Sequence, residues 1–290
     1  MNRRQFLEKG TLSLAAAGLL SQVPVSLLAA TDGKFVKQPI GFQSYVLREE
    51  IGKNIGGICK TMAGYGYQQV EMCSPSGSHY KEVGFGSLAK YSGKELKQII
   101  EDSGLSCISC HFQLEEQFDK LDDRIEFSHQ LGLKPMVCSG GLGSPDYDKL
   151  KKNCEQMNIV GEKTKKAGLI AAYHNHNNEF ETKINGRPVY ELLLEELDPD
   201  LVKMQFQVAV ITLGYKASAY FRKYPGRFIS AHLQDYSPND KTKEVVLGQG
   251  IVDWKDFFTA SKEGGVEVAF VEMESDPATL KDSVTYLKNL

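Results

Sequence analysis

Short β-rich runs alternating with longer amphipathic ones predict an α/β chain folded as a single (β/α)8 TIM barrel. Three observations carry this expectation. The alternation continues from Lys37 to the end of the chain, as parallel strands crossed over by helices require. About eight strand–helix units fit in about 260 residues, the size of such a barrel. The first strand leads into Gln43-Ser44-Tyr45-Val46-Leu47-Arg48 rather than the Gly-rich turn of a doubly wound sheet, which is the alternative architecture.

The first strand is expected at Gln38–Tyr45, followed by a helix at Ile55–Ala63. Gln68–Cys73 then leads to Gly93–Ser103, where Gly104 supplies the left-handed residue that ends a helix. Leu105–Cys110 precedes Arg124–Leu131, stopped by Gly132, and Lys134–Cys138 precedes Asp148–Ala167, stopped by Gly168. Leu169–His174 pairs with the helix Pro188–Leu197, and Leu201–Gln207 with Ala217–Tyr224. Phe228–Leu233 leads through a glycine-shaped loop (Gly248, Gly250) to Asp253–Glu263, with Asp253 as N-cap and Gly264-Gly265 as stop. Val266–Met273 and the helix Ala278–Leu290 close the barrel. Tyr224-Pro225-Gly226-Arg227 reads as the turn into the seventh strand, with Arg227 structural.

Residues 1–30 read differently. Arg3 and Arg4 precede Phe6-Leu7, an apolar stretch Leu12–Leu20 and a small-residue exit at Leu28-Ala29-Ala30. A basic head, a short apolar run and small residues describe an export signal, here of the twin-arginine type. The apolar run is shorter than the ~20 residues of a spanning helix, so no membrane partner is expected once the signal is removed. The expectation is a signal at 1–30, a barrel domain at 31–290 and a periplasmic location.

Composition constrains the partners. With 34 Lys+Arg against 37 Asp+Glu the chain carries −3, and about −5 without residues 1–30, so no nucleic-acid partner is expected. Six cysteines in 290 residues do not form a disulfide framework. Cys107 and Cys110 have C-x-x-C spacing, but residues three apart on a strand face opposite ways, which suits buried structural thiols.

Barrel chemistry sits at the C-terminal ends of the strands. Those ends carry Gln43, Tyr45, Glu71, His111, His174-Asn175-His176, Gln205, Gln207, His232, Gln234, Asp235, Glu272 and Glu274, and only His79 and His129 among the histidines fall elsewhere. Histidine with Glu and Gln at one mouth is the inventory of a divalent-metal site that also binds hydroxyl groups. His174 and His176 share a face if the strand runs that far. Glu272 and Glu274, on alternating positions, would repel each other inside a barrel without a cation. Glu71 could serve as a base or simply pair with a cation on a neighbouring loop.

Several segments together resemble the sugar phosphate isomerase/epimerase family, the xylose-isomerase-like barrel group, over essentially the whole chain after residue 30. They are Val70-Glu71-Met72-Cys73-Ser74-Pro75, Tyr173-His174-Asn175-His176 with Glu179-Phe180, Tyr224–Phe228, Ala231–Tyr236, Gly248–Trp254 and Phe270–Glu274. The resemblance implies one divalent ion, manganese first with zinc, cobalt or magnesium as alternatives, bound by Glu, Asp, His and Glu from strands five to eight. Carried over, the seventh-strand His is His232 and the eighth-strand Glu is Glu272, with Glu274 in reserve. The chain departs from the pattern at the fifth strand, where His174 stands for Glu, and at the sixth, where Gln207 stands for Asp. The family's Lys is Gln234 here. The metal set is then His174, Gln207, His232 and Glu272, with one negative charge instead of three. Such a set holds its ion less tightly but leaves it more Lewis-acidic.

The function implied is proton abstraction next to a carbonyl of a keto-sugar, giving isomerisation or epimerisation. Candidate bases are Glu71, Glu272 and His174. Gln43, His111, His176, Gln205, Gln234 and Glu274 are expected to bind the small-molecule sugar. A lyase or hydratase on a keto-sugar or keto-glycoside is the alternative, and an exported carbohydrate-binding protein without catalysis a third reading. An apurinic-site nuclease would need more carboxylates and a basic face. Homo-oligomerisation is compatible with all of these.

Overall fold

The computed structural model describes residues 36–290. The expected export signal lies outside the described residues. Eight parallel strands close into a barrel: β1 (Ile40–Gln43), β2 (Gln69–Cys73), β3 (Ser106–Phe112), β4 (Pro135–Cys138), β5 (Ile170–His174), β6 (Val202–Gln207), β7 (Phe228–Leu233) and β8 (Val268–Val271), with β8 paired back onto β1. The main helices are α1 (Ile55–Tyr65), α2 (Gly93–Asp102), α3 (Leu121–Leu131), α4 (Tyr147–Lys166), α5 (Val189–Glu196), α6 (Ala217–Lys223), α7 (Trp254–Gly264) and α8 (Leu280–Asn289). None of the described helices is long and apolar enough to cross a membrane.

The strand periodicity of two divides the chain into two environments. Residues such as Val70, Met72, Cys110, Met136, Tyr173, Phe206 and Val271 join the apolar layer beneath the helices. The opposite set points into the barrel, where Glu71, Ser109, Gln205, Ser230 and His232 meet one another from four different strands. Gly41 on β1 makes room for this interior, because a Cβ there would lie 2.5 Å from the Phe270 ring. Gly132 and Gly265 end α3 and α7 at φ of 86° and 80°, a conformation glycine adopts without penalty. All six cysteines are free and buried, Cys107 and Cys110 included.

Three strand ends differ from the sequence expectation. β1 stops at Gln43, because its side chain accepts from the Tyr45 amide and turns the chain into a short 3-10 segment, Ser44–Leu47. β3 runs two residues further, to Phe112, and therefore carries His111 inside the sheet. β8 ends at Val271, so Glu272 and Glu274 leave the rim from coil. Short helices at Arg48–Ile51, Leu114–Asp119 and Asn178–Glu181, and a hairpin pairing Lys183–Ile184 with Arg187–Pro188, decorate the loops.

The long loop after β7 is tied down by one residue. Asp235 accepts hydrogen bonds from the amides of Gly248, Gly250 and Val252 and from the Trp254 indole at 2.9 Å. Asp253 caps α7 through the Asp256 amide. Arg227 is buried and donates to the Leu197 carbonyl, a structural role.

Candidate active site

The site is built around Glu71, which is completely buried. One carboxylate oxygen accepts from Ser109 Oγ at 2.5 Å and Gln205 Nε2 at 2.7 Å. The other accepts from Gln43 Nε2 at 2.7 Å and His232 Nε2 at 2.5 Å, with His111 Nε2 at 3.2 Å. Burial would push this carboxyl up, but the neighbouring His111 and His232 outweigh it and hold the group well below the usual carboxylate range. With both oxygens occupied, Glu71 presents no free lone pair to a substrate.

His232 lies between two carboxylates. Its Nε2 donates to Glu71 and its Nδ1 to Glu272 at 2.9 Å. Burial pulls its pKa down, yet Glu272 and Glu71 raise it to about 10. Glu272 also accepts from Gln207 Nε2 at 2.5 Å and is held ionised, because His232 and Gln207 offset its burial. His174 is the contrasting case. Burial and then the neighbouring imidazoles push it well below the usual histidine value, so it is neutral, and its buried Nδ1 has no hydrogen-bond partner. A buried polar atom without a partner costs about 1–3 kcal/mol, which suits a nitrogen kept for a ligand.

The His111, His174 and His232 rings pack together, with centroids 4.4 to 5.1 Å apart. Each offers a nitrogen within 4.8 Å of the others, so this buried group could hold a metal ion. The donor chemistry fits a divalent transition metal. Neutral His174 has a lone pair to give, and His232, which donates from both nitrogens to Glu71 and Glu272, would bind only after giving up one of those protons. Of the expected four ligands, His174 and His232 belong to that group; Gln207 donates to Glu272 outside it, and His111, expected to bind substrate, takes part in it.

Above this floor opens a cavity of about 310 Å3, lined by Tyr45, Cys73, His79, Tyr80, His111, Gln113, Ser139, His174, His176, Glu272 and Glu274. An adjoining cleft of about 390 Å3 shares His176 and Glu274 with it and continues along Gln207, Gln234, Tyr236, Thr242 and Glu244. Glu274 is raised to about 7 by burial and by Glu272 and Glu244 beside it. Gln234 donates to Glu244 at 2.6 Å and leaves its carbonyl oxygen without a partner.

The structure therefore brings the expected residues to one mouth but sorts them. His111, His174, His176, Glu272 and Glu274 face the first cavity, and Gln207 and Gln234 the adjoining cleft. Gln43 and Gln205, expected to bind substrate, are completely buried and spend their amides on Glu71. Glu71, expected as a base, is enclosed with them. His176 lies two residues past the end of β5 and meets His174 edge-on, with centroids 4.9 Å apart. Ser109, Gln113, Ser139 and Glu244 were not singled out from the sequence. His79 was set aside as a loop residue, although its loop follows β2 and so belongs to the C-terminal face of the barrel.

The comparisons with known proteins agree with this architecture. The family model described as a xylose isomerase-like TIM barrel matches residues 59–290. A sugar phosphate isomerase/epimerase from Parabacteroides distasonis ATCC 8503 is 25% identical over 87% of this chain and 94% of its own, with a TM-score of 0.70. The probable 3-DHS dehydratase AsbF, involved in petrobactin synthesis, from Bacillus anthracis is 13% identical over 87% and 98%, with a TM-score of 0.67. The IolI protein, solved with a binding zinc atom, is 15% identical over 87% and 95%, with a TM-score of 0.65. No curated protein matches the sequence. The chain belongs to the xylose isomerase-like TIM barrel family.

Proposed function

We propose that the protein is a metal-dependent sugar isomerase or epimerase that removes a proton next to the carbonyl of a keto-sugar. The observation that supports this most directly is the partnerless, neutral His174 nitrogen beside His232 and ionised Glu272, on the floor of a cavity of about 310 Å3. That volume is at the lower end of the ~300–1,000 Å3 typical of small-molecule sites.

His174, Gln207, His232 and Glu272 would hold the divalent ion, manganese first, with zinc, cobalt or magnesium as alternatives. When bound, the ion would polarise a carbonyl oxygen and make the neighbouring C–H more acidic. Glu272, as an ionised carboxylate, and His174, as a neutral imidazole wherever its one lone pair is not given to the ion, are the groups suited to receive that proton, and both face the cavity. Glu71, gripped by Gln43, Ser109 and Gln205, orients His232. His111, His176, Gln234 and Glu274 supply hydrogen bonds to sugar hydroxyls.

A second reading, a lyase or hydratase acting on a keto-glycoside, is favoured by two observations. Of the two carboxylates that touch His232, Glu71 is enclosed and only Glu272 faces the cavity, and the adjoining cleft leaves space for a group attached to the reacting ring. We further propose that residues 1–30 direct export through the twin-arginine route, which would deliver the protein folded and already carrying its ion.

A deuterium wash-in screen over keto-sugars and keto-glycosides with added Mn2+ tests the chemistry. Exchange at an α-carbon is expected, and the accompanying product separates isomerase from lyase. No exchange over a broad panel, together with no bound metal, would leave a carbohydrate-binding protein.

A further inference from the structure

We propose that Tyr45 and His79 form the second acid–base pair of this site, delivering a proton to the substrate from the side opposite His174. The proposal rests on the proton-abstraction reading above. The Tyr45 hydroxyl and His79 Nε2 are 3.0 Å apart, and both side chains line the cavity that holds Glu272, His174 and Glu274. Tyr45 follows β1 and His174 ends β5, and in a closed eight-stranded ring those two strands are diametrically opposed. A sugar resting against His174 is therefore bordered across the cavity by the Tyr45–His79 pair, and Glu272, which leaves β8 beside β1, flanks that pair.

The pair is held in place by groups that do no chemistry. The Tyr45 amide donates to Gln43 and the His79 amide to Gln113. The Arg48 guanidinium lies 4.7 Å from the Tyr45 ring centroid, where it favours a transient phenolate. Burial keeps the phenol above its ordinary value, so it carries its proton at neutral pH. His79 is exposed and can trade protons with water.

With hydrogen on Nε2, His79 donates to the phenol oxygen and the phenol O–H is free to face the cavity. His174 takes the α-proton as the C–H bond breaks and keeps it. Tyr45 then gives its own proton to the planar carbon from the other face, forming the new C–H bond. The phenolate recovers a proton from His79 Nε2 while Nδ1 takes one from solvent; His79 then returns the Nδ1 proton to solvent and regains one on Nε2, and His174 returns its proton to solvent. No proton is gained or lost overall.

The test is isotope partitioning in deuterated water with the Mn2+-loaded, full-length protein and variants Tyr45→Phe and His79→Gln. Tyr45→Phe keeps the ring packing, so an unchanged melting temperature is expected. Product formation should fall on the order of 100-fold or more, the usual worth of a general acid, while exchange of the α-hydrogen into recovered substrate continues near the wild-type rate. His79→Gln keeps a hydrogen bond to the phenol but cannot relay, and should lower kcat while leaving KM unchanged. Parallel loss of exchange and product in Tyr45→Phe would reduce Tyr45 to a binding contact and overturn the proposal, as would unchanged turnover. A wild-type protein that shows no exchange would overturn the proton-abstraction reading itself, and this role with it.

Discussion

Raising the pH of the metal-free protein tests the His232 arrangement most directly. His232 is a buried imidazolium between Glu272 and Glu71, with its pKa raised from 6.5 to about 10. In the unfolded chain the ring titrates near its ordinary value. The stability contributed is therefore complete below pH 6.5 and is lost as pH rises through about 10. At about 1.4 kcal/mol per decade, that interval corresponds to roughly 5 kcal/mol. An independent route gives a similar size, since breaking a buried ion pair by removing one partner costs about 3–5 kcal/mol. The opposite limb has other causes. Glu71 and Glu272 are held below the usual carboxylate range, so their contribution is present above it and lost as the pH falls through their lowered values. His174, buried and neutral, adds a penalty as the pH falls below 6.5, because the unfolded chain then binds a proton that the folded one refuses. Stability should therefore peak near pH 6.5 and decline on both sides. Urea unfolding in chelator at stepped pH measures this for the wild type and for His232→Gln. A loss of about 3–5 kcal/mol between pH 6.5 and 10 is expected in the wild type only. A flat profile, or the same slope in His232→Gln, would show that the Glu71–His232–Glu272 chain does not carry the charge described.

Three further outcomes follow from individual contacts. Glu71→Gln keeps the size but turns an NH2 group toward donors, so it should cost about 3–5 kcal/mol in urea unfolding and weaken metal binding by about 10–100-fold in a titration. Asp235→Ala removes the acceptor for three loop amides and an indole; it should cost about 3 kcal/mol and open the segment between residues 236 and 252 to limited proteolysis, whereas full protection would refute the tether. Replacing Arg3 and Arg4 by lysine should leave the precursor in the cytoplasm on cell fractionation, and unchanged export would exclude the twin-arginine route.

Much of the site's composition was legible because a barrel collects its strand ends at one face. That rule alone gathers His111, His174, His232 and Glu272, wherever their partners lie. Period-two patterning and glycine stops located all eight strands, with errors of a few residues where a side chain intervened. Gln43, by accepting from the Tyr45 amide, ended β1 two residues early.

What each polar residue does was decided only by closure of the barrel. Glu71 and His232 are 161 positions apart and Gln205 is 134 from Glu71, so no local pattern records that they share hydrogen bonds. For the same reason Gln43 and Gln205 look like substrate ligands along the chain and prove to be supports for a carboxylate. His79 reached the cavity through a loop whose path depends on Gln113 and Tyr45, both on other elements. Periodicity is a property of neighbouring residues and fixes which face a side chain takes. Partnership is a property of distant residues, and it is set when the last strand pairs with the first.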